Sequence, residues 1–127
     1  VIGWHFFAPA NVMTLLEIVR GAKTAKDVIA TSMAMAKTIR KQAVLVRVCF
    51  GFVGNRMFFP YVREAQRMIL EGNAPEYIDK VAYDWGMAMG PNGVSDLSGL
   101  DVLDKVNNEW KQKPNDPAYC RMVAKLT

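Results

Sequence analysis

The spacing of apolar residues changes once along this chain, and that change limits the folds open to it. Up to about Cys49 the apolar residues alternate or gather in short β-branched runs, whereas from Phe50 onward they recur at helical spacing. In the first stretch Ile2, Trp4 and Phe6 fall on one side and Gly3, His5 and Phe7 on the other, which predicts a strand over residues 1–7 that Pro9 ends. Residues 13–19 predict a second strand, with Leu15, Glu17 and Val19 on one face and Leu16 and Ile18 on the opposite one. Thr24 as N-cap and Asp27 at the third helical position open an amphipathic helix that runs to about Arg40, its stripe made by Val28, Ile29, Ser32, Ala36 and Ile39. The β-branched run at residues 43–48 predicts a third strand, covered on both faces.

Beyond Cys49 the spacing predicts helices only, so a domain boundary is expected there. Residues 51–70 place Phe58, Val62, Ala65 and Ile69 on one stripe, with Gly72 and Asn73 as the stop. Pro60 lies inside this helix; it removes one backbone donor and crowds the Arg56 carbonyl, so a kink or a broken turn is expected. Shorter helices follow at about residues 75–85, 94–99, 102–111 and 117–126, and Met89-Gly90-Pro91 marks a turn between two of them. The chain opens directly on a hydrophobic strand and closes on a helix without a polar tail, so it is expected to be a segment of something longer.

Composition narrows the function classes. About half of the 127 residues are hydrophobic, enough for a packed core, yet no stretch approaches the roughly 20 apolar residues needed to span a bilayer, so no membrane span is expected. The formal charge of +4 is spread along the chain. That pattern suits an anionic ligand better than nucleic acid, which asks for a denser basic stripe. Cys49 and Cys120 are far apart and outside any metal-type spacing, so reduced intracellular thiols and no metal site are expected.

Three polar residues stand out. His5 is the only histidine, at the carboxyl end of a strand, where open α/β sheets place reacting groups. It reads either as a base or as a satisfied core or surface residue. Glu17 is a carboxylate among apolar neighbours, costly to bury unless paired. The short connection between the two strands makes them antiparallel neighbours, so an imidazole could satisfy it, and the carboxylate would then fix the ring's tautomer and leave the other nitrogen free to accept a proton. The alternative is an exposed Glu17 paired with Arg20 or a lysine. Asn55, polar in the apolar stretch FGFVGNRMFFPYV, reads either as a donor to a substrate oxygen or as a helix-terminal amide. Gly51 and Gly54 allow close backbone approach at that helix start, where partial positive charge collects. The methionines read first as core filling and second as the lining of an acyl pocket, and Trp4, Trp85 and Trp110 read first as packing residues and second as a binding platform. No glycine-rich phosphate loop, zinc-protease helix motif or serine nucleophile elbow is present.

The string His5-Phe6-Phe7-Ala8-Pro9-Ala10, then Leu15-Leu16-Glu17-Ile18-Val19, then Gly51-Phe52-Val53-Gly54-Asn55-Arg56, and finally Met89-Gly90-Pro91 with Asp96-Leu97-Ser98-Gly99-Leu100-Asp101, resembles the 3-hydroxyacyl-CoA dehydrogenase family over nearly the whole chain. Within it, CFGFVGNRM and GVSDLSGLD look most like the multifunctional β-oxidation enzymes, which fuse the dehydrogenase to an enoyl-CoA hydratase/isomerase module. The resemblance implies an α+β fold: residues 1–48 as the last strands and a helix of a Rossmann-type NAD-binding domain, and residues 49–127 as an all-α C-terminal dehydrogenase domain. It implies NAD as cofactor, acyl-CoA as substrate, His5 as general base for the 3-hydroxyl proton, Glu17 as its orienting partner and Asn55 as an assisting polar residue. A homodimer through the helical domain is also implied, in a bacterial cytoplasm or a peroxisome. The family's cofactor-binding glycines and a substrate-contacting serine lie upstream of anything present here, so the segment alone is not expected to turn over. Ala8 departs from the asparagine or serine that many relatives carry. Two competing readings are a non-catalytic helical dimerisation or acyl-CoA-binding module, and an enzyme like 6-phosphogluconate dehydrogenase.

Overall fold

A computed structural model describes residues 1–110, and the helix expected at residues 117–126 lies outside them, as does Cys120. By spatial proximity the chain forms two compact units, one spanning Val1–Arg56 and the other beginning at Met57. This partition falls later than the change of periodicity near Cys49, because the turn after the last strand is hydrogen-bonded back to the sheet through Val53 and Gly54.

The first unit is a sheet in the order β1 (Ile2–Phe6), β2 (Leu15–Arg20), β3 (Gln42–Arg47), with β1 antiparallel and β3 parallel to β2. A parallel neighbour needs a crossover, and α1 (Lys26–Thr38) supplies it. Flanked on both sides, β2 is the most buried element, from Leu16 through Val19. Leu16 and Ile18 form the core with Ala36 of α1, and Ile2, Trp4, Met33 and Ala43 pack around them. Full burial of such a leucine or isoleucine side chain stabilises by about 1.5–3 kcal/mol. Glu17 and Val19 point to the other face.

Three expectations about this unit need correction. Thr24 is not the N-cap of α1; that position is Ala25, which makes no side-chain cap. Instead the Thr24 hydroxyl accepts from the Gly21 amide and donates to the Val1 carbonyl, so it closes the turn before the helix. Met13 belongs to the turn before β2, where its amide bonds to the Pro9 carbonyl. Finally, β3 is not covered on both faces: Val44 and Leu45 are 41% and 42% exposed, and only Val46 is buried. Among the described residues β3 has a strand partner on one side only, and the core cluster reaches it through Ala43.

At its far end α1 stops in a Schellman arrangement. The Lys41 amide bonds to the Ala36 carbonyl and the Arg40 amide to that of Lys37, which requires Arg40 in the left-handed region with φ of 58°. A side chain there is strained.

The described part of the second unit is helical. The helix α2 (Gly54–Leu70) starts in the first unit and continues past Met57, followed by α3 (Pro75–Asp84), α4 (Pro91–Ser98) and α5 (Leu100–Glu109). The expected α2 stripe is seen, with Val62 and Ala65 buried and Phe58 and Ile69 half-buried, while Gln66 is buried beside it. Helix α2 runs through Pro60 without a broken turn. Gly72, at φ of 102°, ends the segment, and the Asn73 amide and side chain both bond to the Met68 carbonyl. Helix α4 begins earlier than its apolar spacing suggested, with Gly90 as N-cap and Pro91 at the first helical position. Asp79 of α3 accepts from the Asn92 and Gly93 amides at 2.9 and 2.7 Å. A Cβ on Gly90 would stand 2.3 Å from the Asp79 Cγ, so this close approach requires glycine. No helix among the described residues is long and apolar enough to cross a membrane.

Replacing Arg40 by glycine removes the left-handed strain but adds freedom to the unfolded chain. The net effect expected for Arg40→Gly is a gain of about 0.5–1 kcal/mol, measured by urea unfolding. A loss of stability would show that the arginine side chain contributes more than its backbone strain costs.

Candidate active site

Antiparallel pairing sets His5 of β1 directly opposite Glu17 of β2. Residues opposed in this way project to the same face, and the ring closes the gap: His5 Nδ1 lies 2.7 Å from Glu17 Oε2. Their environments differ sharply. The Glu17 side chain is 1% exposed and that of His5 32%, so the carboxylate is sealed while the imidazole reaches solvent.

The second carboxylate oxygen is also occupied. Glu17 Oε1 accepts from the Val53 amide at 2.9 Å and the Gly54 amide at 2.8 Å, at the amino end of α2. These donors point inward because the chain turns through two successive left-handed residues, Gly51 at φ of 71° and Phe52 at 45°. For phenylalanine this conformation is strained, at a cost of about 1–3 kcal/mol. Burial pushes the Glu17 carboxyl up, but the Gly54 amide, the His5 ring and the Val53 amide outweigh it, so the group is held below its ordinary value. Glu17 is therefore ionised at neutral pH and can only accept. Its partner nitrogen must carry a proton, so the neutral ring is protonated at Nδ1 and bare at Nε2.

Two aromatic rings flank the imidazole, Phe7 at 4.8 Å and Phe52 at 5.5 Å between centroids. Gly54 makes room for the first: a Cβ there would stand 2.6 Å from the Phe7 Cζ, and the ring would have to swing away.

Of the three residues singled out from the sequence, His5 and Glu17 are in contact. Asn55 is the second residue of α2, half-buried and next to Gly54, and its side chain makes no hydrogen bond among the described residues. The helix start it was read as capping is instead met by Glu17. Sequence reasoning missed the Val53 and Gly54 amides and the two flanking rings. Backbone donors carry no letter of their own, and the signal that could have found them was the pair Gly51 and Gly54 just before a helix. No group of ligating side chains suited to a metal occurs among the described residues. Nor do the described residues show a dinucleotide cradle: β2, α1 and β3 make a strand–helix–strand unit, but the connection from β2 to α1 holds the single glycine Gly21 and no G-x-G-x-x-G spacing.

In the second unit a cavity of about 570 Å³ is lined by Tyr61, Met68, Tyr77, Trp85, Met87 and Pro91, among others. Trp85 is 82% exposed, so it is not the packing residue expected.

Residues 1–49 match the family described as 3-hydroxyacyl-CoA dehydrogenase, NAD binding domain, and residues 51–127 match its C-terminal domain. The chain is 50% identical over 109 residues to a peroxisomal bifunctional enzyme of Danio rerio, covering 86% of this chain and 15% of that protein. It is 41% identical over 126 residues to a glyoxysomal fatty acid beta-oxidation multifunctional protein of Brassica napus, covering 99% of this chain and 17% of that one. Among solved structures, (S)-3-hydroxybutyryl-CoA dehydrogenase PaaH1 from Ralstonia eutropha superposes with a TM-score of 0.85 at 32% identity, covering 98% of this chain and 45% of that chain. The chain thus spans only a small part of the curated relatives it matches.

The pH dependence of stability follows from Glu17. Because the folded carboxyl resists protonation more than the unfolded one, its contribution is complete above the ordinary carboxylate value and is lost as pH falls through the folded value. Urea unfolding from about pH 5 downward is expected to show a loss of stability that is shallower in Glu17→Gln. Equal slopes in the two chains would assign the linkage to other carboxylates.

Proposed function

The chain belongs to the 3-hydroxyacyl-CoA dehydrogenase family, and on that premise we propose that it supplies the proton-accepting half of an NAD-dependent oxidation of (S)-3-hydroxyacyl-CoA to 3-ketoacyl-CoA. His5 Nε2 takes the 3-hydroxyl proton, and Glu17 fixes the tautomer and stabilises the imidazolium that results. The observation that carries this reading is the 2.7 Å contact between a sealed carboxylate and a half-exposed imidazole. Asn55, beside the Gly54 amide that holds Glu17, is assigned to assist at the substrate oxygen.

NAD, the cofactor implied by the matching NAD-binding family, accepts the hydride in this reaction. The described residues do not fit the task of holding its phosphates, so that role is assigned to other parts of the polypeptide. Residues 1–48 are accordingly read as the end of the NAD-binding domain, and residues 49–127 as the helical domain. The peroxisomal and glyoxysomal relatives favour fatty-acid β-oxidation in such a compartment, within a multifunctional enzyme.

In the full-length enzyme, His5→Ala is expected to lower kcat by about 10²–10⁴-fold, the range of general-base catalysis, with little change in KM for NAD. Glu17→Gln would turn an amide N–H toward Nδ1 or reverse the tautomer, and is expected to lower kcat in the same range. NADH formation from 3-hydroxybutyryl-CoA measures both. Ordinary turnover by His5→Ala would remove this histidine from the mechanism.

The second-unit cavity favours one further reading, a module that binds an acyl chain without catalysis. Tyr61, whose hydroxyl is buried and unpartnered among the described residues, lines it, and burial followed by the Asp79 charge raises its pKa, so it remains a donor. Titration of the chain separates the readings: binding of acetoacetyl-CoA that Tyr61→Phe weakens and His5→Ala does not supports the module.

A further inference from the structure

The strands that carry His5 and Glu17 are joined by a connection with little packing to hold it. Every residue from Ala8 through Thr14 is exposed. Its order comes from polar contacts instead. The Pro9 carbonyl accepts from the Val12 and Met13 amides, each at 3.0 Å. The Ala10 and Met13 carbonyls accept from Lys41 Nζ at 2.6 and 2.7 Å, across a long stretch of sequence.

Lys41 is unusual in what it binds. It gives two ammonium protons to neutral carbonyls and has no carboxylate within ion-pair distance among the described residues. Charge balance does not explain it. Its backbone is held on both sides: its own amide closes α1 on the Ala36 carbonyl, and the next amide, that of Gln42, bonds to the Thr14 carbonyl at 2.8 Å. The far end of the β1–β2 connection is thus tied to the root of the same lysine.

The near end of that connection is Phe7, whose ring packs against the imidazole. The His5 ring has one hydrogen bond among the described residues, at Nδ1, which leaves rotation about that contact to be limited by Phe7 and Phe52. The Phe7 ring in turn lies over the bare backbone of Gly54. We propose that Lys41 is a positioning residue: by clamping the Ala10 and Met13 carbonyls it sets the path of the β1–β2 connection, the seat of the Phe7 ring, and through it the aim of His5 Nε2. This rests on the reading of His5 as the base.

The chain has a single histidine, so the carbon-bound protons of its imidazole can be followed alone by NMR. In the wild-type chain the ring currents of Phe7 and Phe52 are expected to displace them. Lys41→Met is expected to move them toward free-histidine positions, and in the full-length enzyme to lower kcat about 10–100-fold with KM for NAD nearly unchanged. Lys41→Arg, which retains donors for both carbonyls, is expected to restore both readouts. If Lys41→Met does not fold, Lys41→Gln is the milder substitution, with a smaller shift in the same direction. Wild-type imidazole shifts in the methionine or glutamine chain overturn the proposal, as does an unchanged kcat in a folded Lys41→Met enzyme. Turnover surviving in His5→Ala would sink the general-base reading instead, and the imidazole shifts would still decide whether Lys41 seats the ring.

Discussion

A single buried carboxylate joins three segments of the first unit on the face of the sheet opposite its apolar core. Taking an ionised glutamate out of water costs several kcal/mol, and the charge persists only if hydrogen bonds replace what the solvent supplied. Glu17 finds three, one from β1 through His5 and two from the turn that leads into α2. Segments far apart in sequence therefore converge on one side chain of the central strand. The left-handed backbone of Gly51 and Phe52 makes sense in that light, since without it the Val53 and Gly54 amides would not face the sheet. The strain at Phe52 is offset by the charge that the Val53 and Gly54 amides stabilise.

That arrangement also creates the asymmetry between the two ring nitrogens of His5. One is committed to an acceptor that does not leave its ionised state near neutrality, and the other is bare and, in the proposed reaction, takes the proton. Serine hydrolases divide the two nitrogens of a histidine in the same way on a different fold. Here the parts come from neighbouring antiparallel strands, and the aromatic rings restrict what a single hydrogen bond would leave loose.

Much of this geometry is legible in the letters because it rests on period and polarity. Alternation places His5 and Glu17 on facing strands, a short connection makes those strands antiparallel, and a carboxylate between leucine and isoleucine demands a partner. The helical stripe of α2 and the turn at Gly90-Pro91 are readable for similar reasons. Other features are set by contacts that local patterns do not encode. Thr24 looks like a cap, yet its hydroxyl is drawn to the Val1 carbonyl at the start of the chain. Arg40 carries no mark of a left-handed position, because glycine is the usual sign. The strand at Gln42–Arg47 has the composition of a covered one, but composition cannot say what covers it. Lys41 reads as one more surface cation until its two carbonyl partners are seen.

In the second unit, the corner between α3 and α4 joins two residues that no pattern links. Asp79 provides the negative end that the first amides of α4 need, and Gly90 provides the absence of bulk that lets the aspartate come near enough to meet them. Neither has value without the other: a side chain at position 90 would push the acid away, and a neutral apolar residue at position 79 would leave the glycine as mere slack. The geometry therefore couples the two positions: a change at one alters what the other can do.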